Sequence, residues 1–249
     1  MNLGSSFAAG AGTGPVAPGS PPRCFQSSVN YARLLAAHMN LALADASCAG
    51  ATSTNLLNAW RELPAQIDAI TSDTALVTIT VGGNDLAFAG NLTAASCEQG
   101  ETIHVAGMTL PCPSPFPVSA DAYDALERNL IEVARQSAAR APHARIIFIQ
   151  YVTLVPQRQC PQSRLTEAEA TELRGVARRL ADITNRAATR SGAAILPMDR
   201  LSERHTPCDP DPWSVGLPGD YNEVMGAPWH PNRRGMQVIA ERLEQMLSR

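Results

Sequence analysis

The chain lacks lysine altogether: all 20 of its basic side chains are arginines, and they form no Lys/Arg block. We interpret the missing lysine as codon bias. With 23 acidic residues the net charge is only −3, so the sequence offers no basic surface of the kind that binds nucleic acid or anionic membranes. No segment approaches the roughly 18 apolar residues that a membrane-spanning helix needs. We therefore expect no nucleic-acid partner and no transmembrane segment.

Metal-ligand patterns are also missing, because no C-x-x-C pair and no histidine cluster of suitable spacing occurs. We expect no metal and no cofactor. Six cysteines allow fifteen complete pairings, of which short closed loops favour the sequential one, with a stapled hairpin over 97–112. The alternative is six reduced thiols in a cytosolic enzyme, but disulfides are typical of oxidising compartments, so we predict a secreted or periplasmic protein. The predicted pairs are Cys24 with Cys48, Cys97 with Cys112, and Cys160 with Cys208.

The N-terminus does not fit export as it stands, since only Met1, Asn2 and Leu3 precede Gly4. A signal peptide would show a charged segment followed by an apolar one. We expect that a signal peptide and most of the first strand are missing from this sequence, either because the chain is the mature form or because its start was assigned too late.

Strand and helix patterns alternate along the 249 residues, which we interpret as one domain over 1–249. Such alternation predicts an α/β fold of three layers, α/β/α, with a parallel five-stranded sheet. Ligands of such sheets lie beyond the carboxyl ends of the strands. The predicted helices cover 28–40, 55–61, 120–140, 166–190 and 233–247; the strands lie at the N-terminus and over 41–46, 75–81, 145–152 and 193–197; and 10–22 is a loop.

Polar residues at these strand ends supply the groups that acyl transfer requires. Ser6 follows a short apolar segment, Asn84 follows the run 75–81, and His230 precedes the last helix. A serine whose proton a histidine can take is a nucleophile for ester carbonyls. Ser5 competes for that role, and both serines taken alone are ordinary loop residues.

Four segments carry a family resemblance. GSSFAAG at 4–10 resembles the first sequence block of the SGNH (GDSL-type) hydrolases, with serine in place of the usual aspartate at position 5. SCAGAT at 47–52 resembles the second block, VGGND at 81–85 the third, and WHPN at 229–232 the fifth. The cysteine pattern is similar to that of secreted bacterial three-disulfide esterases and lipases of this family. The Gly-x-Ser-x-Gly elbow of the α/β-hydrolases does not occur.

The resemblance implies a flavodoxin-like SGNH fold and a role for each matching residue. Ser6, four residues before Gly10, would be the nucleophile and His230 the base. The Asn84 side-chain amide and the N–H groups of Gly50 and Ser6 would stabilise the oxyanion. The alternatives are a plain turn for Gly50 and a helix N-cap for Asn84.

One family residue is missing, because the acid that usually stands three residues before the histidine is replaced by Ala227. One hypothesis is a dyad in which a backbone carbonyl, that of Ala227, accepts the other imidazole N–H. The second is a carboxylate from elsewhere, with Asp199, Asp211 and Asp220 as candidates. We favour the carbonyl.

The functional prediction is a monomeric, cofactor-free carboxylic-ester hydrolase, an esterase or lipase acting through a serine acyl-enzyme on a small-molecule or lipid ester. An acyltransferase or carbohydrate O-deacylase with the same centre is one alternative, and a catalytically silent secreted binding module is another. The acyl chain length would be set by walls that include Phe88 and the segments 110–117 and 212–224.

Overall fold

The computed structural model describes residues 1–98, 100–105 and 107–248. Its strands are β1 (Asn2–Gly4), β2 (Leu76–Thr80), β3 (Thr102–Val105), β4 (Met108–Pro111), β5 (Arg145–Ile149) and β6 (Ala194–Leu196). Its α-helices are α1 (Ser6–Ala9), α2 (Tyr31–Met39), α3 (Ser53–Leu57), α4 (Phe88–Ser96), α5 (Ala120–Arg140), α6 (Glu167–Ser191), α7 (Met198–Leu201) and α8 (Arg233–Leu247). Short 3-10 turns cover Pro22–Cys24, Gln66–Ala69 and Glu223–Met225.

A parallel sheet with strand order β1-β2-β5-β6 forms the centre of the molecule. Gly4, the last residue of β1, pairs with Thr80, the last residue of β2. Likewise Ile149 at the end of β5 pairs with Leu196 at the end of β6. The carboxyl ends of the strands therefore lie level, and the segments that follow them meet at one edge of the sheet.

The segment 41–46 was expected to form a fifth strand. It runs beside the free edge of β1 but forms no regular strand there. Asp45 forms an isolated parallel bridge with Asn2. The Asn2 N–H donates to the Ala44 carbonyl at 3.0 Å, and the Ala46 N–H donates to the Asn2 carbonyl at 2.9 Å. Regular pairing of this segment with β1 is limited to that isolated bridge, so it does not count as a strand of the sheet. The described sheet thus has four strands, and the prediction of five was wrong in number although the segment runs where it was expected.

Helices cover both faces of the sheet, as the three-layer prediction requires. On one face α2 packs against α8, and on the other α5 packs against α6. The Tyr31 hydroxyl of α2 lies 3.0 Å from Thr80 Oγ1 of β2. Since side chains alternate along a strand, Val77 and Ile79, both fully buried, face the opposite layer.

Helix boundaries follow the local capping residues. Helices α5 and α8 have the predicted bounds, and α6 is shifted by one residue because Thr166 caps it and forms a reciprocal box with Glu169. Helix α2 begins at Tyr31 rather than at position 28, since the Asn30 side chain accepts the Arg33 N–H at 2.9 Å. Helix α3 overlaps its predicted span but begins two residues earlier, because Thr52 and Asn55 form a capping box, and it ends four residues earlier.

The three predicted disulfides are confirmed: Cys24–Cys48, Cys97–Cys112 and Cys160–Cys208. The second closes the antiparallel hairpin of β3 and β4, also as expected. The first fastens the segment before position 50, where the Ala49 N–H donates to the Cys24 carbonyl at 3.0 Å. Among the described residues, no helix combines the length and the apolar character needed to cross a bilayer.

Candidate active site

Ser6 begins α1 immediately after β1, at the carboxyl edge of the sheet. The tight turn depends on Gly4, where a Cβ would lie 2.1 Å from the Thr80 carbonyl oxygen. Ser5 is buried, and its Oγ lies 3.2 Å from the Tyr151 hydroxyl. Ser6 is only half-buried and lines a cleft. The turn thus directs the second serine, and not the first, toward solvent.

His230 joins Ser6 from the other end of the chain. Its Nε2 lies 2.8 Å from Ser6 Oγ, and its Nδ1 lies 2.7 Å from the Pro228 carbonyl oxygen. A carbonyl can only accept, so Nδ1 carries the imidazole hydrogen and Nε2 is the acceptor for the Ser6 hydroxyl. This is the tautomer that a general base for the serine requires.

The surroundings keep the imidazole neutral. Burial lowers the pKa of His230 below its ordinary value of 6.5, and the hydrogen bond to the Pro228 carbonyl offsets only part of this effect. The Phe7 ring packs against it, with ring centroids 4.7 Å apart. At neutral pH the histidine is therefore available to take a proton.

The acceptor at Nδ1 corrects one expectation, because the carbonyl belongs to Pro228 and not to Ala227. The carboxylate candidates lie elsewhere. Asp211 accepts the Trp213 indole N–H at 3.2 Å and lies 3.3 Å from His205. Asp220 is exposed, and Asp199 lines a separate cavity of about 190 Å³. Since Pro228 and Ser6 occupy the two imidazole nitrogens, the geometry matches the dyad hypothesis.

The Asn84 side chain reaches the turn that contains Gly50. The Asn84 Nδ2 donates to the Ala51 carbonyl at 2.9 Å, which leaves its second amide hydrogen free for another acceptor. The N-cap alternative for Asn84 is wrong, since Ala87 occupies the cap position of α4. Gly50 has φ +82°, as a turn glycine would. Its N–H meets no acceptor among the described residues, whereas the N–H groups of its neighbours are paired.

The half-buried carboxylate of Asp85 holds the turns of Gly50 and Asn84 together. The Ser53 N–H donates to both oxygens of Asp85, at 3.1 and 3.0 Å, and the Ser53 hydroxyl also donates to Asp85. Burial raises the pKa of Asp85 despite these bonds. Asp85 follows Asn84 in the chain, and Ser53 begins the helix after the Gly50 turn, so the bonds fix the spacing of the two turns.

The cleft at Ser6 and His230 has a volume of about 840 Å³, within the range of small-molecule sites. Its walls come from the loop 11–16, from Val105 and Met108 of the β3–β4 hairpin, and from the segment 221–227. The Gly107 N–H donates to Glu223 at 2.8 Å and so links the hairpin to that segment. Most of its side chains are apolar, among them Val16, Phe25, Val105, Met108 and Val224.

The predicted cleft walls were partly wrong. Segment 212–224 contributes Tyr221, Glu223 and Val224. Phe88 is buried and lines the cavity at Asp199, and the hairpin contributes Val105 and Met108 in place of 110–117.

Two site features escaped sequence reasoning. The Pro228 carbonyl carries no signal in side-chain patterns. Tyr151 stands two residues beyond β5, and its position at the carboxyl end of a buried strand was the available signal.

Comparison with known proteins indicates the family of this chain. Residues 3–238 match the model of the GDSL-like lipase/acylhydrolase family. The chain is 30% identical to "Lipase 2" of Streptomyces coelicolor, an alignment that covers 98% of this chain and 84% of that protein.

Two solved structures share the fold. One is phospholipase A1 from Streptomyces albidoflavus, with a TM-score of 0.75, 24% identity, and coverage of 98% of this chain and 97% of that chain. The other is an extracellular lipase from Streptomyces rimosus, with a TM-score of 0.74, 21% identity and the same coverage.

Proposed function

Because this chain belongs to the GDSL-like lipase/acylhydrolase family and is a serine ester hydrolase, we propose that Ser6 is its nucleophile and His230 its general base. The observation that carries this assignment is the 2.8 Å contact between Ser6 Oγ and His230 Nε2, both of which line the cleft. The Pro228 carbonyl holds the imidazole in the required tautomer.

The reaction proceeds in two halves. His230 takes the Ser6 proton while Oγ attacks the ester carbonyl carbon, and the tetrahedral intermediate then expels the alcohol, which receives that proton from His230. Water, deprotonated by His230, attacks the acyl-enzyme, and Ser6 leaves with its proton restored. The imidazole thus acts alternately as base and acid.

Three donors are assigned to the oxyanion: the Asn84 side-chain amide, the Gly50 N–H and the Ser6 N–H. The Ser6 N–H stands in the first turn of α1, where N–H groups have no intrahelical acceptor. The Gly50 N–H and the second hydrogen of the Asn84 amide likewise have no acceptor among the described residues. Donors held in place before the reaction stabilise the developing charge without reorganising.

Replacing Asn84 by alanine is expected to lower kcat by ~10² to 10³ with little change in KM, because one preorganised oxyanion donor is lost. Steady-state kinetics on a p-nitrophenyl ester measure this. Asn91→Ala is the matched control, since Asn91 also donates to a backbone carbonyl at 2.9 Å but lies on an exposed surface. Equal kcat values for the two variants would remove Asn84 from the mechanism.

Two measurements distinguish hydrolysis from its alternatives: the product released in the first turnover and the dependence of the rate on an added acceptor. A burst of p-nitrophenol equal to the enzyme concentration, together with labelling by a fluorophosphonate, supports the acyl-enzyme. The absence of both would favour a silent binding module. A rate that depends on an added alcohol or sugar acceptor would favour an acyltransferase.

The apolar lining of the cleft favours esters with an acyl chain longer than acetyl. Each methylene buried there contributes up to about 0.8 kcal/mol, or about fourfold in kcat/KM. We expect kcat/KM to rise from the acetyl to the octanoyl p-nitrophenyl ester. The opposite order would favour an O-deacylase that removes acetyl groups from carbohydrate.

Met108→Asp is expected to lower kcat/KM for the octanoyl ester by about tenfold while sparing the acetyl ester, because it introduces a charge where the chain would lie. Leu110→Asp is the matched control. Leu110 is on the same strand and similarly exposed, 41% against 48% for Met108, but it lies outside the cleft. Equal effects of the two variants would place the acyl chain elsewhere.

We further propose that residues 1–249 act as a single domain and as a secreted monomer. Buried side chains from Leu3 to Leu243 form one contiguous hydrophobic core. The three disulfides suit an oxidising compartment, and one relative of the same fold is described as extracellular.

A further inference from the structure

The Tyr151 hydroxyl joins the segments that follow three neighbouring strands. Tyr151 itself follows β5. Its hydroxyl oxygen accepts the Gly83 N–H, from the turn after β2, at 2.9 Å. It also lies 3.2 Å from Ser5 Oγ, in the turn after β1. Gly83 directly precedes Asn84, and Ser5 directly precedes Ser6, so one hydroxyl spans the two turns that carry the proposed oxyanion donor and nucleophile.

The Tyr151 ring is also closely packed, against Gly83 and Phe7. A Cβ at position 83 would lie 2.8 Å from both the ring and the hydroxyl oxygen, so only glycine fits beneath it. The ring also contacts Phe7, at a centroid distance of 4.2 Å, and Phe7 in turn contacts His230. Tyr151 therefore contacts the chain neighbours of Ser6 and Asn84 and the ring that packs against His230. It forms no hydrogen bond with any of these three residues.

The phenol can form one hydrogen bond with each of its two partners. The oxygen accepts from Gly83, and its own hydrogen is available to Ser5 Oγ. Burial raises the pKa of Tyr151 to about 12, so the hydroxyl keeps that hydrogen throughout the working pH range. Ser5 and Tyr151 are both buried. Water therefore cannot easily replace the phenol as the hydrogen-bond partner of Ser5 and Gly83.

We propose that Tyr151 is a positioning residue for ester hydrolysis, whose hydroxyl fixes the separation of Ser6 from Asn84 by bonding Ser5 and Gly83 together. This inference rests on the proposed roles of Ser6 and Asn84. Without the hydroxyl, a buried N–H and a buried Oγ lose their common partner, and the two turns can shift relative to each other. A displacement near 1 Å at such a site can cost about 10²-fold in rate.

Tyr151→Phe tests the proposal, because it removes only the oxygen and leaves the ring against Phe7. We expect kcat for p-nitrophenyl butyrate to fall roughly 10- to 100-fold, with KM within about twofold of wild type and the rising limb of the pH profile unmoved. A residue that served only stability would lower the melting temperature without this separation of kcat from KM. Tyr123→Phe is the control, since Tyr123 is buried on α5 away from the site, and its kcat should be unchanged.

The Ser5→Ala variant extends the test. Alone it should lower kcat less than Tyr151→Phe does, and in the Tyr151→Phe background it should have no further effect, because the bond is already absent. If Tyr151→Phe does not fold, Ser5→Ala still tests the link, with an expected loss of about two- to tenfold in kcat at constant KM. The proposal is overturned if kcat stays within twofold of wild type, or if the two substitutions multiply in the double variant.

Fluorophosphonate labelling of Ser6→Ala distinguishes this failure from failure of the proposed function. An unlabelled, inactive Ser6→Ala variant beside a fully active Tyr151→Phe variant would reject only the role of Tyr151. An active Ser6→Ala variant would reject the nucleophile itself.

Discussion

Ser6→Ala is expected to abolish ester hydrolysis, with a loss of roughly 10⁴-fold or more in kcat, and to prevent labelling by a fluorophosphonate. The reason is chemical: without Oγ no acyl-enzyme can form, and His230 Nε2 loses the hydroxyl that lies 2.8 Å away. The proposed oxyanion donors and the cleft remain, so substrate binding should persist. Initial rates on a p-nitrophenyl ester and mass spectrometry of the labelled protein measure the two effects.

Ser5→Ala is the matched control, because it removes the same atom from the adjacent residue. Ser5 is buried against Tyr151 and does not line the cleft, so we expect a loss of no more than about tenfold. If instead Ser5→Ala is inactive and Ser6→Ala retains activity, the first sequence block is shifted by one position and the nucleophile is Ser5.

Elements with strong periodicity could be predicted from the sequence, and short or unpatterned ones could not. Helix α5 buries Leu126, Leu130 and Val133 at helical spacing, which defines both its face and its length. Helix α4 was missed because small residues dominate it and no side chain caps its start, where Ala87 adopts a left-handed conformation with φ +47°.

The types of residue at the site could be predicted because a parallel sheet brings its strand ends to one edge. Ser6, Gly50, Asn84 and His230 were predicted in this way, aided by the family resemblance, and the structure brings Ser6 and His230 to within 2.8 Å of each other. The choice between Ser5 and Ser6 rested on spacing, and the structure adds a physical reason, since the turn at Gly4 buries one hydroxyl and leaves the other in the cleft.

The partner of the imidazole could not be predicted because backbone conformation decides it. Trp229 has φ +56°, a left-handed conformation that is uncommon for a bulky residue. Complete burial and an indole hydrogen bond to Ser96 at 2.9 Å hold it there. The Pro228 carbonyl, two residues before the histidine, lies within 2.7 Å of Nδ1 in this turn. Residue spacing alone had indicated Ala227.

A carbonyl partner for His230 leads to the second large effect. We expect His230→Ala to lose about as much activity as Ser6→Ala, since the members of such a unit act together. Asp199→Asn, Asp211→Asn and Asp220→Asn should each retain most activity, because none of these carboxylates faces the imidazole and a side-chain exchange cannot remove a main-chain acceptor. The kcat values of the four variants on one ester, compared at equal folded fraction, measure this.

The pH profile gives an independent test of the same arrangement. Only neutral imidazole can take the serine proton, so activity rises with pH through the pKa of His230. Burial lowers that pKa below 6.5, whereas a carboxylate beside the ring would raise it by favouring the charged form. We therefore expect the rising limb of kcat/KM below pH 6.5 and full activity at neutrality. A limb above pH 7, together with a loss of ~10⁴ in one Asp→Asn variant, would contradict the dyad and identify that aspartate as the third catalytic residue.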